Sequence, residues 1–333
     1  MTLYPLLFQP NLHPVVWGGY QLRPYKGMEP SNEPIGESWE VSVMPESTSI
    51  ISNGELAGRT LSEVISEQPE AILGKAVNER YGGQLPLLVK LIDAKQDLSI
   101  QVHPNDEMAK REHGKSGKSE MWYVIKADKG SHLYAGFKET ITPEEYQKRI
   151  ADGTIVDVLA SHAVKAGDVF YLPAGSVHAI CGGILLAEVQ QSSDVTYRIY
   201  DYNRPGMDGK LRELHTELAS QALDYTVYPN YRLQYPNEVN KVHQIIQTQF
   251  FDVQLINATE KIHRDMRKHE SFVISMCLEG DCKLYIKSTG EELLLKQGST
   301  TLIPAALADY TVEPIGQSTC LLDAFVENAG NQI

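Results

Sequence analysis

Short apolar runs and stretches in which residues two apart share a face read as strands over much of this chain, and the pattern shifts to a helical period in a few short windows. Residues 85–92 are an apolar run interrupted by Lys90, which reads as a buried strand carrying one lysine. Beyond it, Ser99, Gln101 and His103 point to one face of a strand, and Lys118 and Glu120 share a face in the same way. Residues 169–172 are an apolar strand that runs into the turn Pro173-Ala174-Gly175, after which His178 opens the returning strand. The first 60 residues read as short strands and turns punctuated by Pro and Gly.

Three helical insertions interrupt this pattern. Over about 60–80, Thr60 and Glu63 form a capping box, and Leu61, Val64, Ile65 and Ile72 follow the helical period. Residues 105–116 are polar and read as a short helix or loop. In the third, over 142–153, Thr142-Pro143-Glu144-Glu145 supplies an N-cap, an N1 proline and a capping glutamate, and Gly153 ends the helix. Residues 163–203 return to strand, and 204–240 form a connection with a short helix near 212–222.

The pattern then repeats. The Gly-to-Pro spacing of 167–173 recurs at 298–304, so that 172–178 aligns with 303–309, and upstream 120–130 matches 270–280 at equal length. Between these landmarks the second copy is 19 residues shorter (167 − 130 = 37 against 298 − 280 = 18), about the size of the insertion at Thr142. The expected fold is therefore mainly β: a helically decorated barrel over 1–240 and a plain one over 241–333. The plain copy also acts as an internal control. It places Asp309 where His178 stands and has no counterpart of the Gln-x-His pair, so the barrel alone does not demand these residues. Glu270 reads as a solvated or structural acid, and no metal is expected in the second barrel.

Composition narrows the function classes. At 333 residues with 42% apolar and 22% charged content, the chain is globular and long enough for two domains. A net charge of −13 argues against nucleic-acid binding, and an anionic small substrate would have to rely on a few local cations. No apolar run is long enough to span a membrane, and the first ten residues lack a secretory signal, so a cytoplasmic monomer or weak homodimer is expected. Four scattered cysteines read as buried reduced thiols. Gly114-Lys115-Ser116-Gly117-Lys118-Ser119 imitates a phosphate-binding loop, but Glu112 stands where that motif needs glycine.

The alternation brings four candidate ligands into play: Gln101, His103, Glu120 and His178. Two imidazoles, a carboxylate and an amide oxygen suit one Zn2+ per chain, with other divalent metals able to use the same set. A single carboxylate leaves such a complex positively charged, hence a strong Lewis acid.

Several segments together resemble type I phosphomannose isomerases in their short bacterial form. They include Val16-Trp17-Gly18-Gly19, Gly36-Glu37-Ser38-Trp39-Glu40-Val41-Ser42, Leu98-Ser99-Ile100-Gln101-Val102-His103-Pro104, Gly117-Lys118-Ser119-Glu120 and Gln191-Ser192-Ser193-Asp194-Val195-Thr196-Tyr197-Arg198. Residues 167–178 also match the cupin pattern G-x5-P-x-G-x2-H. The resemblance implies cupin-type (jelly-roll) barrels and a zinc-dependent interconversion of mannose 6-phosphate and fructose 6-phosphate through an enediol. It places the metal on the same four residues, catalysis on Lys118, Glu188 and Arg198, and substrate contacts on Lys90 and Ser99. The long helical domain of larger members is absent here. On bland readings Lys118 pairs with Glu120, Glu188 pairs with Arg198, and Trp17 and Trp122 are core residues. Two other functions compete: another metal-dependent cupin enzyme, and a non-catalytic sugar-phosphate-binding cupin.

Overall fold

The structure, a computed structural model, describes residues 2–326. It begins with β1 (Leu6–Leu7), β2 (Leu12–Gly19), α1 (Leu22–Tyr25), β3 (Ile35–Val41), α2 (Leu61–Glu67), α3 (Pro69–Leu73) and α4 (Lys75–Tyr81). Next come β4 (Leu87–Ala94), β5 (Ile100–Val102), α5 (Asp106–His113), β6 (Glu120–Ala127), β7 (His132–Phe137), α6 (Pro143–Ala151), β8 (Leu159–Ala163), β9 (Val169–Leu172) and β10 (His178–Ile180). β11 (Ile184–Gln191), β12 (Tyr197–Tyr200), α7 (Thr216–Ala222) and β13 (Arg232–Leu233) complete this half. The remainder is β14 (Lys241–Gln247), β15 (Asp252–Ala258), β16 (Ile262–Asp265), β17 (Val273–Ile286), β18 (Glu292–Leu295), β19 (Thr300–Ile303) and β20 (Asp309–Phe325).

These strands form three antiparallel sheets. A seven-stranded sheet, ordered β13-β9-β6-β11-β4-β2-β3, accompanies a five-stranded one, β12-β5-β10-β7-β8. Strands β4 and β11 are buried on both faces, and alternation sorts their side chains. Leu87, Val89, Leu91, Leu185, Ala187 and Val189 join a core that includes α2–α4 and residues of the C-terminal sheet such as Val253, Ile274 and Leu322. Ile92, Ala94, Ile184 and Leu186 point the other way, into a cluster with Leu133, Ala135 and Ile180 of the five-stranded sheet. The inserted α5, α6 and α7 meet that sheet through Met108, Tyr146 and Ala219. Period-two alternation therefore decides which residues can reach the space between the two sheets.

The eight-stranded sheet consists of β14–β20 together with β1, whose Leu6 pairs with Leu302 of β19. The first strand thus belongs to the C-terminal sheet, an exception that the 1–240 and 241–333 reading does not anticipate.

The helical window over 60–80 holds three short helices rather than one. The Thr60–Glu63 capping box starts α2, and Pro69 and Gly74 break the run. Gly74 has φ +92°, and a Cβ there would fall 1.8 Å from the Glu270 carbonyl oxygen, so only glycine lets the chain pass. Asn105 caps α5 and Thr142 caps α6, each accepting a backbone N–H three residues on.

The internal repeat is real, but its register differs from the sequence alignment. Glu120 pairs with Leu172, the residue before Pro173, whereas Ile303, the residue before Pro304, pairs with Val273. Val273, not Glu270, is therefore the counterpart of Glu120; matching the two glutamates displaced the alignment by three residues. Two positions further along, Glu188 faces Trp122 and Asp323 faces Ser275, so Asp323 holds the place of Glu188. There it accepts from the Tyr310 hydroxyl at 2.9 Å and from Arg264 at 3.4 Å, all three side chains being buried.

Candidate functional site

Backbone register assembles the site from both N-terminal sheets. On the five-stranded sheet, His178 pairs with Gln101, which in turn lies beside Arg198 on β12. On the seven-stranded sheet, Glu188 lies between Lys90 and Trp122, while Gln190 pairs with Glu120. Across the gap, His103, Glu120 and His178 bring ligand atoms within 4.8 Å of one another, and all three are buried.

Both imidazoles are oriented from behind. His103 Nδ1 lies 2.9 Å from the Val195 carbonyl and His178 Nδ1 lies 2.9 Å from the Ser176 carbonyl, so each Nδ1–H donates and each Nε2 lone pair faces inward. Those Nε2 atoms lie 3.4 and 3.2 Å from the two Glu120 oxygens. Glu120 Oε1 is buried with no hydrogen-bond partner among the described residues, as expected of an atom built to meet a cation. Gln101 places its amide nitrogen 3.3 Å from His178 Nε2 and accepts from Ser99 Oγ at 3.3 Å. Exchanging the two ends of the amide turns its oxygen to the cluster without changing its shape. The donor set thus fits a divalent cation.

Lys118 is part of this cluster, its ammonium 2.5 Å from Glu120 Oε2 and 3.1 Å from His103 Nε2. Burial disfavours charge on Glu120, yet Lys118 and the two histidines hold its carboxyl well below the usual range. Burial and then Lys118 push His103 down to about 3, and burial likewise lowers His178. Both imidazoles are therefore neutral, the form that ligates metal. A free imidazole takes up its proton near 6.5, so between that pH and about 3 the unfolded chain binds a proton that folded His103 refuses. Folding stability of the chelated protein should then fall as pH drops through this window and stay level above it. Urea midpoints at about pH 7.5 and about pH 5.5 check this, with the lower midpoint expected at the lower pH.

The cluster opens on a cavity of about 190 Å³ lined by Trp17, Glu37, Trp39, Lys90, Ser99, Gln101, Lys118, Trp122, Glu188, Thr196, Arg198 and Arg212, among others. A larger cavity, about 390 Å³, lies between Met44, Ile65, Tyr81 and Phe250; no charged side chain lines it, so the chemistry belongs to the smaller one. Lys90 ion-pairs with Glu37 at 3.3 Å and Glu188 at 3.5 Å, and its ammonium sits 4.9 Å from the Trp39 ring centre. Burial opposes the charge on Lys90, but Glu37 and Glu188 more than offset it and raise its pKa. Glu188 also accepts from Trp122 Nε1 at 2.9 Å.

All nine residues singled out from the sequence lie in this cluster or line its cavity. The bland pairing of Lys118 with Glu120 occurs. The pairing of Glu188 with Arg198 does not: Lys90 takes Glu188, and Arg198 makes no ion pair among the described residues. Trp17 and Trp122 are buried as expected, and both also face the cavity. Sequence reasoning missed Glu37, Trp39 and Arg212. The alternation of Glu37 and Trp39 within Gly36–Ser42 was the available signal for the first two; Arg212 offered none.

Residues 6–131 match the family model for the phosphomannose isomerase type I catalytic domain. The chain is 35% identical to mannose-6-phosphate isomerase ManA of Bacillus subtilis over 326 residues, 97% of this chain and 99% of that one. It is 41% identical to mannose-6-phosphate isomerase of Streptococcus mutans over 219 residues, 66% of this chain and 67% of that one. The crystal structure of the Bacillus subtilis mannose 6-phosphate isomerase superposes with a TM-score of 0.86 at 32% identity, covering 97% of this chain and 99% of that one. No helix among the described residues is long and apolar enough to cross a membrane. With a relative this similar along essentially its whole length, the chain belongs to the type I phosphomannose isomerase family.

Proposed function

We propose that the chain is a metal-dependent aldose–ketose isomerase interconverting mannose 6-phosphate and fructose 6-phosphate, with zinc held by Gln101, His103, Glu120 and His178. The observation that carries this reading is the buried His103–Glu120–His178 cluster opening on a cavity with four cationic side chains, in a chain whose net charge is −13. When bound, the ion supplies Lewis-acid stabilisation of negative charge on the C1 and C2 oxygens.

The chain's own residues supply the rest. Glu188 is the stronger candidate for moving the proton between C2 and C1. Trp122 fixes its Oε2, Lys90 supports its charge, and its Oε1 is buried without a hydrogen-bond partner among the described residues. It takes the C2 proton, leaving an enediolate charged on O1; the hydroxyl proton passes from O2 to O1, and Glu188 returns its proton to C1. Arg198, free of any carboxylate, carries charge on the substrate oxygens, and Lys118 supports the oxygen nearest Glu120. Lys90 and Ser99 line the same cavity and contact the sugar. The partner is thus a phosphosugar, bound by a cytoplasmic monomer or weak homodimer; four buried free cysteines agree with a reducing compartment.

A coupled assay of mannose 6-phosphate conversion tests this. Activity should vanish with a chelator and return with zinc. Oxygen uptake, or tight binding without turnover, would point to one of the competing cupin functions.

A further inference from the structure

We propose that Arg212 holds the phosphate of the phosphosugar substrate and that Asp201 is the positioning residue that aims it. This rests on the isomerase reading and names the part of the cavity that recognises the anion. The segment after β12 leaves at Asp201, makes a small hairpin in which Pro205 bridges Leu211, and returns so that the His215 N–H donates to the Arg198 carbonyl at 2.7 Å. Arg212 lies on the returning arm. Its Nε and Nη2 fork onto the two oxygens of Asp201 at 2.7 and 2.6 Å, leaving Nη1 without a partner among the described residues, and the side chain lines the cavity. A fork held on both prongs is rigid, so the free Nη1 is aimed before any ligand arrives.

Charge balance at this end of the cavity says what the ligand is. Asp201 is buried and also accepts from Arg204 at 3.0 Å, so two guanidiniums share one carboxylate. Arg198 stands close by; among the described residues its guanidinium makes no ion pair and is held only by the Glu213 carbonyl at 2.9 Å, its buried Nε having no partner there. Of the other acids near this rim, Asp194 is already paired with Lys115 at 2.7 Å, and the Glu213 side chain is largely exposed, so solvent screens its charge. Three guanidiniums and one carboxylate leave a net charge of +2. Burial foremost, and then the nearby Arg212, lower the pKa of Arg198, while Asp201 and Glu213 oppose the shift. A phosphate monoester, close to a dianion at neutral pH, matches that excess. By contrast, the Lys90 and Lys118 ammoniums already have carboxylates within 3.5 Å.

The test compares the zinc-loaded full chain with its Arg212→Gln, Arg212→Lys and Asp201→Asn variants, using mannose 6-phosphate as substrate and inorganic phosphate as competing anion. Arg212→Gln should raise both KM and the inhibition constant for phosphate by about 10- to 100-fold, the range for losing a hydrogen bond to a charged group, with kcat moving much less. Arg212→Lys should recover part of that loss, and Asp201→Asn should shift the same two constants in the same direction by about tenfold or less. Constants within about twofold of wild type for Arg212→Gln, or a loss confined to kcat, would overturn the assignment. Calorimetric titration with inorganic phosphate separates the two readings. If the wild-type chain fails to isomerise the phosphosugar, the isomerase reading falls, while weaker phosphate binding by Arg212→Gln still supports Arg212 and equal binding removes it. Thermal unfolding identifies any variant that misfolds, in which case the Arg212→Lys data decide.

Discussion

His178→Ala should lose its metal and its turnover together, with kcat lower by more than about a thousandfold. The reasoning starts from geometry. His178 Nε2 faces Glu120 Oε1 at 3.2 Å, its Nδ1 is tied to the Ser176 carbonyl, and its ring packs edge-on against Trp122. Without the imidazole the cluster keeps one histidine, one carboxylate and one amide, and Lys118 remains to compete for Glu120. Losing the outer-shell partner of a ligating histidine already costs about 10- to 100-fold in metal affinity, and losing the ligand itself costs more. Elemental analysis of the purified variant and the coupled assay check both parts. A variant that retained a full equivalent of metal would remove His178 from the ligand set.

Arg198→Ala should behave differently: full metal content, and a kcat lower by about 10²- to 10³-fold. Arg198 sits one strand away from Gln101 and touches none of the three clustered ligands, so its loss leaves the donor set intact. It does remove a guanidinium that faces the cavity with no carboxylate to neutralise it, the arrangement expected where negative charge develops on the substrate. Turnover within a few-fold of wild type would exclude it from the chemistry. The contrast with Arg212, whose loss should appear in KM, separates stabilisation of the reacting end from capture of the phosphate.

Local rules made much of this site readable from sequence. A strand period of two is enough to place Ser99, Gln101 and His103 on one face, and the turn at 173–175 is specified by its own residues, so His178 could be identified without knowing the rest of the fold. Lys90 could likewise be read as a lysine in search of a carboxylate, because an unpaired ammonium in an apolar strand is costly. Its second partner could not be found that way. Glu37 reaches Lys90 only because β3 lies beside β4 in a particular register, with the 45 residues of 42–86 between them. Arg212 was hidden for a related reason, since an irregular loop has no periodicity to show which way a side chain points. In the internal repeat, matching letters misled: two glutamates aligned well, while the strand register answers to the proline turn.

The strand at the amino terminus has a consequence for how the molecule is made. β1 leaves the ribosome long before its partner, since Leu302, which Leu6 must meet, follows 296 residues later (302 − 6). At ordinary synthesis rates that is a wait of roughly 15–60 s with a short apolar edge unsatisfied. The two N-terminal sheets can be complete well before β19 has been made, so a late step of maturation seats β1 in the C-terminal sheet.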